Sequence, residues 1–255
     1  MAHKGQSGRP LRTAEVARAV GVHPNTVRLY EAWGFLPPVP RTPGGYRQFT
    51  QDHVDQMRLA RTVLQYPYPG GKEPVLALVY SAAAGDLDAA LEHAYRYLAQ
   101  IRAERAEAEA AADFLDQWVR GAPVEPLARP LLIGQAARHL RLTVDTLRSW
   151  ERNGLLCVPR DPNSGYRLYG AAELGRARVI RLLRLAGYSS MAILRIFRHL
   201  ERERQGDVRQ VLDTPTPNED VYMAADRWLS TLAAQEARVM DAIAQLRVMI
   251  EKRRS

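Results

Sequence analysis

The chain of 255 residues has a single cysteine, Cys157, which excludes an internal disulfide and a metal cage built from cysteines. No apolar run approaches the roughly 18 residues that span a bilayer, and the first ten residues lack the apolar segment of a signal peptide. The six histidines are scattered without the spacing of metal ligands. We therefore expect a cytoplasmic protein with no membrane association, no metal and no other cofactor.

Lysine is also scarce, because 33 of the 36 basic residues are arginine, and the net charge is +8. The positive charge is concentrated in two segments, with net +5 in residues 1–75 and net +8 in residues 131–204. The segments that follow them carry net −4 and net −1. This distribution predicts two regions that bind a polyanion, each followed by a segment that does not.

The two basic segments contain an internal repeat. "TVRLYEAWGFL" at Thr26–Leu36 returns as "TLRSWERNGLL" 120 residues later, and "GGYR" at 44–47 returns as "SGYR" at the same offset. Between Leu11 and Arg47, 11 of 37 residues are identical to the residue 120 positions further on. A repeat of this kind indicates one structural unit present twice.

Each repeat predicts a helix-turn-helix. In the first repeat, Thr13 is a candidate cap for a helix that Gly21 ends. The pair His23-Pro24 then opens a second helix, since proline is tolerated in the first turn, and Gly34 ends it. Two short helices joined by a tight turn, the second with one polar face, are typical of DNA-binding domains.

The segment after the second helix is rich in proline and glycine, and it predicts a small β-hairpin, or wing, with Arg41 and Arg47 at its base. Two more helices are expected behind the wing, at 51–64 and 74–84. The second repeat predicts the same order, with helices at 134–140 and 144–153, a wing at 158–169, and helices at 171–186 and 190–204.

A long amphipathic stretch follows each repeat. Apolar residues recur at steps of four and three over positions 87–119 and 221–249, with Arg105 and Gln235 as the polar members. This spacing is typical of a coiled-coil seam. The first helix would be about 50 Å long, whereas the linker after it spans at most about 35 Å. An antiparallel pair within one chain satisfies both lengths.

We therefore expect a mainly α fold, with two winged helix-turn-helix domains, each followed by a long helix, and the long helices paired as an antiparallel coiled coil. The predicted segments are a flexible N-terminal arm (1–10), a first winged helix-turn-helix domain (11–84), a first long helix (85–119), a linker (120–130), a second winged helix-turn-helix domain (131–204), a loop (205–217) and a second long helix (218–255).

Taken together, the pattern T-V-R-x-Y-E-x-x-G-x-L, a G-Y-R wing, two further helices and a long dimerising helix resembles the MerR family of bacterial transcription regulators. The resemblance covers both repeats and both long helices. It implies a pair of DNA-binding heads joined by an antiparallel coiled coil, each with one helix in the major groove and a wing on the backbone. It further implies a regulator that distorts a promoter spacer for RNA polymerase, located with the nucleoid.

Carried over residue by residue, the resemblance implies contacts to double-stranded DNA from both repeats. Arginine can pair with guanine or phosphate, and hydroxyl groups can donate to phosphate. The candidates in the first repeat are Thr13, His23, Asn25, Thr26, Arg28, Tyr30, Arg41, Tyr46 and Arg47. Those in the second repeat are Thr143, Asp145, Thr146, Arg148, Trp150, Arg160, Tyr166 and Arg167.

Some of these candidates have an alternative role. Tyr46, Tyr166 and Trp150 are equally compatible with packing in the core. Glu31 and Glu151 are expected to orient a neighbouring arginine rather than to touch DNA. The recognition helices also differ, because Leu29 and Ser149 occupy a position where many family members carry an aromatic residue. We expect the two heads to read different half-sites, and hence an asymmetric operator.

Three further alternatives concern function and assembly. The same heads would serve an architectural protein that bends DNA during recombination. A small-molecule sensor could form a pocket near the coiled coil from aromatic residues that are more often ordinary packing, namely Tyr95, Tyr97, Trp118, Tyr222 and Trp228. Nothing in the chain suggests a catalytic centre, so an enzyme is not expected. A monomeric pseudo-dimer is the expected assembly, with a homodimer that swaps its long helices as the alternative.

Overall fold

The computed structural model describes residues 9–121, 127–202, 207–214 and 227–254. Within these ranges the chain forms eleven helices, and its only β-structure is isolated bridges. The helices are α1 Thr13–Val20, α2 Pro24–Ala32, α3 Gln51–Val63, α4 Glu73–Ala83, α5 Leu87–Val119, α6 Ile133–Leu140, α7 Val144–Arg152, α8 Ala171–Leu185, α9 Ser190–Arg202, α10 Val208–Asp213 and α11 Trp228–Arg254. This mainly helical architecture confirms the predicted fold class.

The chain divides into two compact units, and each combines parts that are distant in sequence. The first unit contains the first repeat, α5 as far as Arg102, and α11 from Ala233 onward. The second unit contains the remainder of α5, the second repeat and the start of α11. Among the described helices, none is both long enough and apolar enough to cross a membrane.

The first repeat folds as a helix-turn-helix over a small apolar core. Val16 and Val20 of α1 pack with Val27 of α2 in a buried cluster that also contains Phe49 and Met57. Gly21 ends α1 with a φ of 66°, a left-handed conformation that glycine adopts without strain. The tight turn that this glycine allows lets α2 begin three residues later.

The cap of α1 differs from its prediction. The cap is Arg12, whose backbone N–H donates to the carboxylate of Glu15 at 2.7 Å. Because Glu15 lies three residues into the helix, its side chain reaches back to the residue before Thr13. Thr13 is therefore the first residue of α1, and its assignment as the cap was wrong by one position.

The second helix of each repeat has a side chain that caps its first turn. His23 accepts a hydrogen bond at Nδ1 from the backbone N–H of Asn25 at 3.2 Å. Thr143 accepts at Oγ1 from the N–H of Thr146 at 3.0 Å. These bonds satisfy N–H groups that have no partner within the helix, so two chemically different residues begin the helix in the same way.

Each wing is held by one antiparallel bridge rather than by a continuous ladder. Arg41 is bridged to Arg47 in the first wing, and Arg160 is bridged to Arg167 in the second. The predicted hairpins are therefore present, with the expected pair of arginines at the base of the first. The turn that links the bridged residues is longer by one residue in the second wing than in the first.

Within the first unit, α5 and α11 pair antiparallel. Arg102 Nε lies 2.8 Å from Glu236 Oε1, whereas the backbone oxygen of Gly85, just before α5, accepts from Arg253 at 2.6 Å. Residue numbers therefore rise along one partner as they fall along the other. Ile101 of α5 and Val239 of α11 are buried, as their predicted seam positions require.

A buried polar contact lies inside this pair. The side chain of Gln235 donates through Nε2 to the hydroxyl of Tyr97 at 3.3 Å, and that hydroxyl donates to the backbone oxygen of Pro69 at 2.8 Å. Both side chains are about 1% exposed. The contact links α11, α5 and the loop before α4, because a buried hydroxyl must find its partners within the protein.

The final turns of α11 also bind α3 of the first repeat. Lys252 Nζ lies 2.8 Å from a carboxylate oxygen of Asp55, and Gln245 Nε2 donates to Thr62 Oγ1 at 2.9 Å. Two turns nearer the start of the helix than Gln245, Arg238 donates to the backbone oxygen of Gln65 at 3.2 Å. The end of the chain is thus joined by polar contacts to its first domain.

The second unit has the reciprocal composition. The last turns of α5 pack on the second repeat, where Trp118 meets the ring of Phe197 edge-on at 6.2 Å. The hydroxyl of Tyr188 donates to the backbone oxygen of Ala108 at 3.1 Å, and burial raises the pKa of this tyrosine. Trp228 of α11 donates to the backbone oxygen of Ala186 at 2.8 Å.

One segment predicted as a loop contains a helix. Within 205–217, α10 begins after Asp207, whose carboxylate accepts from the N–H groups of Arg209 and Gln210 at 2.9 and 3.2 Å. Val208 and Leu212, one turn apart, are buried. A cap and two apolar residues outweighed the proline-rich sequence that follows, so the loop prediction is wrong here.

Several predictions fall on residues outside the described ranges. They concern most of the N-terminal arm (1–8), the middle of the linker (122–126), residues 203–206, and residues 215–226, which include Tyr222. The other aromatic residues considered for a ligand pocket are divided between the two units: Tyr95 and Tyr97 belong to the first, and Trp118 and Trp228 to the second.

The buried hydroxyl of Tyr97 generates a stability prediction. Tyr97→Phe leaves the oxygen of Pro69 and the amide of Gln235 without this partner, and it should destabilise the first unit by about 1–3 kcal/mol in urea unfolding. Tyr95→Phe is the matched control, because the hydroxyl of Tyr95 makes only an exposed hydrogen bond, with Arg247, and removing that hydroxyl should cost less than about 0.5 kcal/mol. Equal effects of the two variants would contradict the role of the buried contact.

Candidate nucleic-acid interface

The exposed face of α2 presents two polar side chains in contact with each other. Arg28 donates through Nη1 to the side-chain oxygen of Asn25 at 3.1 Å, and both residues are exposed. Val27, between them in sequence, is fully buried. The helix therefore directs its amide and guanidinium groups into solvent while its apolar side anchors it to the domain.

The same face of α7 carries an ion pair. Arg148 Nη1 lies 3.3 Å from a carboxylate oxygen of Asp145, whose side chain is 90% exposed. Leu147 and Trp150 form the buried face of this helix, and Trp150 is only 8% exposed. The alternative that Trp150 packs in the core is therefore the right one. Its ring attaches α7 to the domain, and its selection as a DNA contact stays a prediction.

An ion pair between the recognition helix and the wing occurs in both units. Glu31 of α2 accepts from the guanidinium groups of Arg47 and, at 3.4 Å, of Arg41. Glu151 of α7 accepts from Arg167, and this hydrogen bond raises the pKa of the arginine. The two glutamates therefore orient arginines, as expected from the sequence, and they tie each wing to its helix.

The wing arginines are thus partly engaged by the protein itself. Arg41 Nη1 also donates to the backbone oxygen of Gly45 at 3.5 Å, and Arg160 makes the equivalent bond to Gly165 at 3.2 Å. Arg47 is half-buried. These residues give positive charge to the base of the wing, but their first role is to hold its shape.

Tyr46 and Tyr166 are the most exposed aromatic residues of the two wings. Their side chains are 77% and 65% exposed, so packing in the core does not explain them. Tyr30 differs, because it is half-buried against the ring of Phe35 at 5.5 Å, and its desolvation raises its pKa. Of these three rings, the two on the wings are free to contact a ligand with both edge and face.

The remaining candidates lie near the start of the helices. His23 and Thr143 are the exposed caps of α2 and α7, and Thr13 is half-buried at the first position of α1. Thr26 and Thr146 occupy the third position of their helices and are half-buried. All these residues lie in the first turn or at the cap of their helices.

The tips of the wings differ between the units. In the first wing the backbone N–H of Tyr46 donates to Thr42 Oγ1 at 3.1 Å. In the second, the carboxylate of Asp161 accepts from the N–H groups of Ser164 and Asn163 at 2.8 and 2.9 Å, and these bonds lower its pKa. The second tip therefore places an additional negative charge beside the exposed Tyr166.

A surface cleft of about 460 Å³ lies between the start of α6 and the second wing. Its lining includes Gln135, Arg138, Tyr166 and Arg167. Sequence reasoning missed Arg138, although a signal existed: Arg18 and Arg138 are one of the identical pairs of the repeat, and both are exposed. Arg167 is paired with Glu151, so Arg138 and the hydroxyl of Tyr166 are the groups of this cleft that are suited to an anionic ligand such as a phosphate.

The comparisons with known proteins agree with this geometry. The model of the MerR HTH family regulatory proteins matches residues 11–66 and 131–200, that is, the two repeats separately. The chain belongs to the MerR family, and it carries two MerR-type units in tandem. None of the solved structures matches the chain.

Three curated relatives illustrate the extent of the similarity. The nodulation protein NolA of Bradyrhizobium sp. (strain NC92) is 30% identical over 125 residues, which cover 43% of this chain and 53% of that protein. The mercuric resistance operon regulatory protein of Pseudomonas fluorescens is 34% identical over 68 residues, which cover 27% and 47%. The HTH-type transcriptional regulator CueR of Escherichia coli O157:H7 is 33% identical over 55 residues, which cover 22% and 41%.

The chain spans about half the length, or less, of the curated relatives it matches. In the part of the chain that the structure describes, no group of three or more His, Cys, Asp or Glu residues is arranged to hold a metal ion. Cys157 is exposed and forms no disulfide. The family model covers the two repeats and neither long helix.

The ion pair between helix and wing generates the second prediction. Glu31→Ala releases Arg47 from the recognition helix. The backbone N–H of Thr42 donates across the wing to the oxygen of Tyr46, and the rate of its hydrogen exchange should rise roughly fivefold. This corresponds to a pair worth on the order of 1 kcal/mol. Glu92→Ala is the control, because its pair with Arg96 is exposed on α5. Unchanged exchange in Glu31→Ala would show that the pair does not hold the wing.

Proposed function

We propose that this protein is a DNA-binding transcription regulator that acts as a single-chain pseudo-dimer on an asymmetric site. One observation carries the proposal: two units of the same chain present the same pair of exposed side chains. In each, an exposed arginine stands on the second helix of a helix-turn-helix, and an exposed tyrosine stands on the wing beside it. These pairs are Arg28 with Tyr46 and Arg148 with Tyr166.

The chemistry of these side chains fits DNA. A recognition helix enters the major groove and contacts base edges, and Arg28 and Arg148 lie at the middle of the exposed side of their helices. Exposed tyrosine hydroxyl groups and the arginines near the wing can contact phosphate oxygens, which fixes position without reading sequence. Net charges of +5 and +8 on residues 1–75 and 131–204 supply the electrostatic attraction.

The composition of the units supports a pseudo-dimer within one chain. The first repeat is completed by α11 from Ala233 onward, and the second repeat by the end of α5. Each repeat thus packs against a long helix that belongs to the other repeat. This exchange is the one that two subunits of a homodimer would make, so a tandem chain can supply both halves of the dimer itself.

The regulatory role rests on the family and on the relatives whose names state regulation, among them the mercuric resistance operon regulatory protein. We propose domain limits of 11–84 and 131–204 for the two heads. From the family resemblance we also propose that binding distorts a promoter spacer and that RNA polymerase is the protein partner. The protein then resides with the genome in the cytoplasm. It performs no catalysis in this role.

Substitution of the helix arginines tests DNA binding. Arg28→Ala and Arg148→Ala should each weaken binding to a duplex selected by the wild type by about 1–3 kcal/mol in fluorescence anisotropy. Wild-type affinity should fall steeply as salt rises, because bound phosphates release counterions. Arg96→Ala removes an equal charge from the exposed side of α5 and should change affinity by less than about 0.5 kcal/mol. Full affinity in the double variant Arg28→Ala/Arg148→Ala would overturn the proposed interface.

The pseudo-dimer has a direct test in solution. Light scattering on the protein bound to one duplex should give a single chain of 28.7 kDa per DNA site. Cysteine pairs introduced at Arg102 and Glu236, whose side chains meet in the first unit, should crosslink within one chain. Two chains per site, with crosslinks between chains, would identify the homodimer with swapped long helices instead.

A further inference from the structure

The two recognition helices differ at an exposed hydrogen-bonding position near their start, and the residue three positions further on is an arginine in both. Asn25 and Asp145 both occupy the second position of their helices, two residues after the caps His23 and Thr143. The next exposed side chain on each helix is an arginine, Arg28 or Arg148, at the same spacing. The repeat therefore places an amide in one head where the other head has a carboxylate.

The local geometry of this position is conserved between the units. The side-chain oxygen of Asn25 accepts from Arg28 at 3.1 Å, and that of Asp145 accepts from Arg148 at 3.3 Å. In both heads the arginine thus holds one oxygen atom of its neighbour. What differs is the second polar atom, which is an NH₂ donor in Asn25 and a second acceptor oxygen in Asp145.

We propose that residue 25 in the first head and residue 145 in the second determine which base each head prefers, with Asn25 selecting adenine and Asp145 selecting cytosine. This inference rests on the proposed function, since it assumes that α2 and α7 enter the major groove. The Nδ2 of Asn25 can donate to N7 of adenine, and its Oδ1 keeps a second lone pair, beside the one used by Arg28, to accept from N6. A carboxylate only accepts, which matches the N4 amino group of cytosine and opposes the acceptor atoms of guanine and thymine.

The difference in charge between the two heads supports the same discrimination as the difference in hydrogen bonding. Asp145 neutralises Arg148 within the second head, whereas Arg28 beside the uncharged Asn25 keeps its full positive charge. An exposed carboxylate on a surface that faces phosphates weakens binding unless a donor meets it. Asp145 therefore disfavours bases that offer it no donor as well as favouring cytosine, and a site discriminates between similar ligands by both effects.

The test gives each head, in turn, the residue of the other head in the full-length chain. Wild-type protein and the variants Asp145→Asn and Asn25→Asp are used to select duplexes from a randomised pool, and the bound sequences are compared. We expect the wild type to select two different half-sites. Asp145→Asn should replace cytosine by adenine at one position of one half-site, with a change in preference of about tenfold. Asn25→Asp should make the opposite exchange at the equivalent position of the other half-site.

Two further variants keep the test specific. Asp145→Ala should lose the preference for cytosine without gaining one for adenine, because alanine offers no hydrogen bond. Arg152 is the last residue of α7, is exposed, and stands where the first head has Ala32. Arg152→Ala should therefore leave both base preferences unchanged, because this position is far from the start of the helix. Thermal unfolding of each variant shows whether the fold is retained, as expected for exposed positions.

The possible outcomes separate this inference from the proposed function. If all variants bind duplexes but neither exchange alters a base preference, position 25/145 does not determine specificity, and the inference is overturned while DNA binding stands. Changes spread over both half-sites would overturn it as well, because each residue belongs to one head. Failure of the wild type to retain any duplex at low salt would overturn both.

Discussion

The structure depends on the return of the C-terminal helix to the first repeat. In the first unit, α11 lies antiparallel to α5, and Gln235 reaches the buried hydroxyl of Tyr97 across 138 residues of sequence. Lys252, in the last turn of α11, contacts Asp55 of α3. Such contacts close a long loop, and the entropy of closing it grows only slowly with length. A tandem repeat can therefore use a long-range helix pair to complete its first domain.

The wing and the recognition helix behave as one part because a glutamate joins them. Glu31 and Glu151 accept from arginines of the wing in the two units, at the same offset in sequence. This arrangement uses arginines that would otherwise be the most obvious phosphate ligands. It leaves the exposed tyrosines of the wings and the arginines of α2 and α7 as the groups directed into solvent. A surface of this kind is preformed, so less conformational entropy is lost on binding.

Most described helix bounds lie within two residues of their prediction, because apolar spacing, prolines and glycines are local signals. The predicted start of the second long helix, residue 218, lies outside the described residues. The errors share a cause, namely that contacts between side chains decided between local alternatives. Glu15 moved the cap of α1 from Thr13 to Arg12. Burial of Val208 and Leu212 produced α10 inside an expected loop. Trp150 and Tyr166 looked alike as aromatic residues near DNA, yet one is buried and the other exposed. Arg138 was overlooked because the cleft that it lines exists only in three dimensions.

The sequence by itself determined the family, the duplication, the order of the helices and the difference between Asn25 and Asp145, since all of these follow from residue identity and spacing. Only the tertiary structure decided which arginines are engaged by glutamates and which are directed into solvent. It also decided that each repeat is completed by the long helix of the other. The physical reason is the same for both: burial and ion pairing depend on which distant segments meet, and local sequence carries no record of those distances.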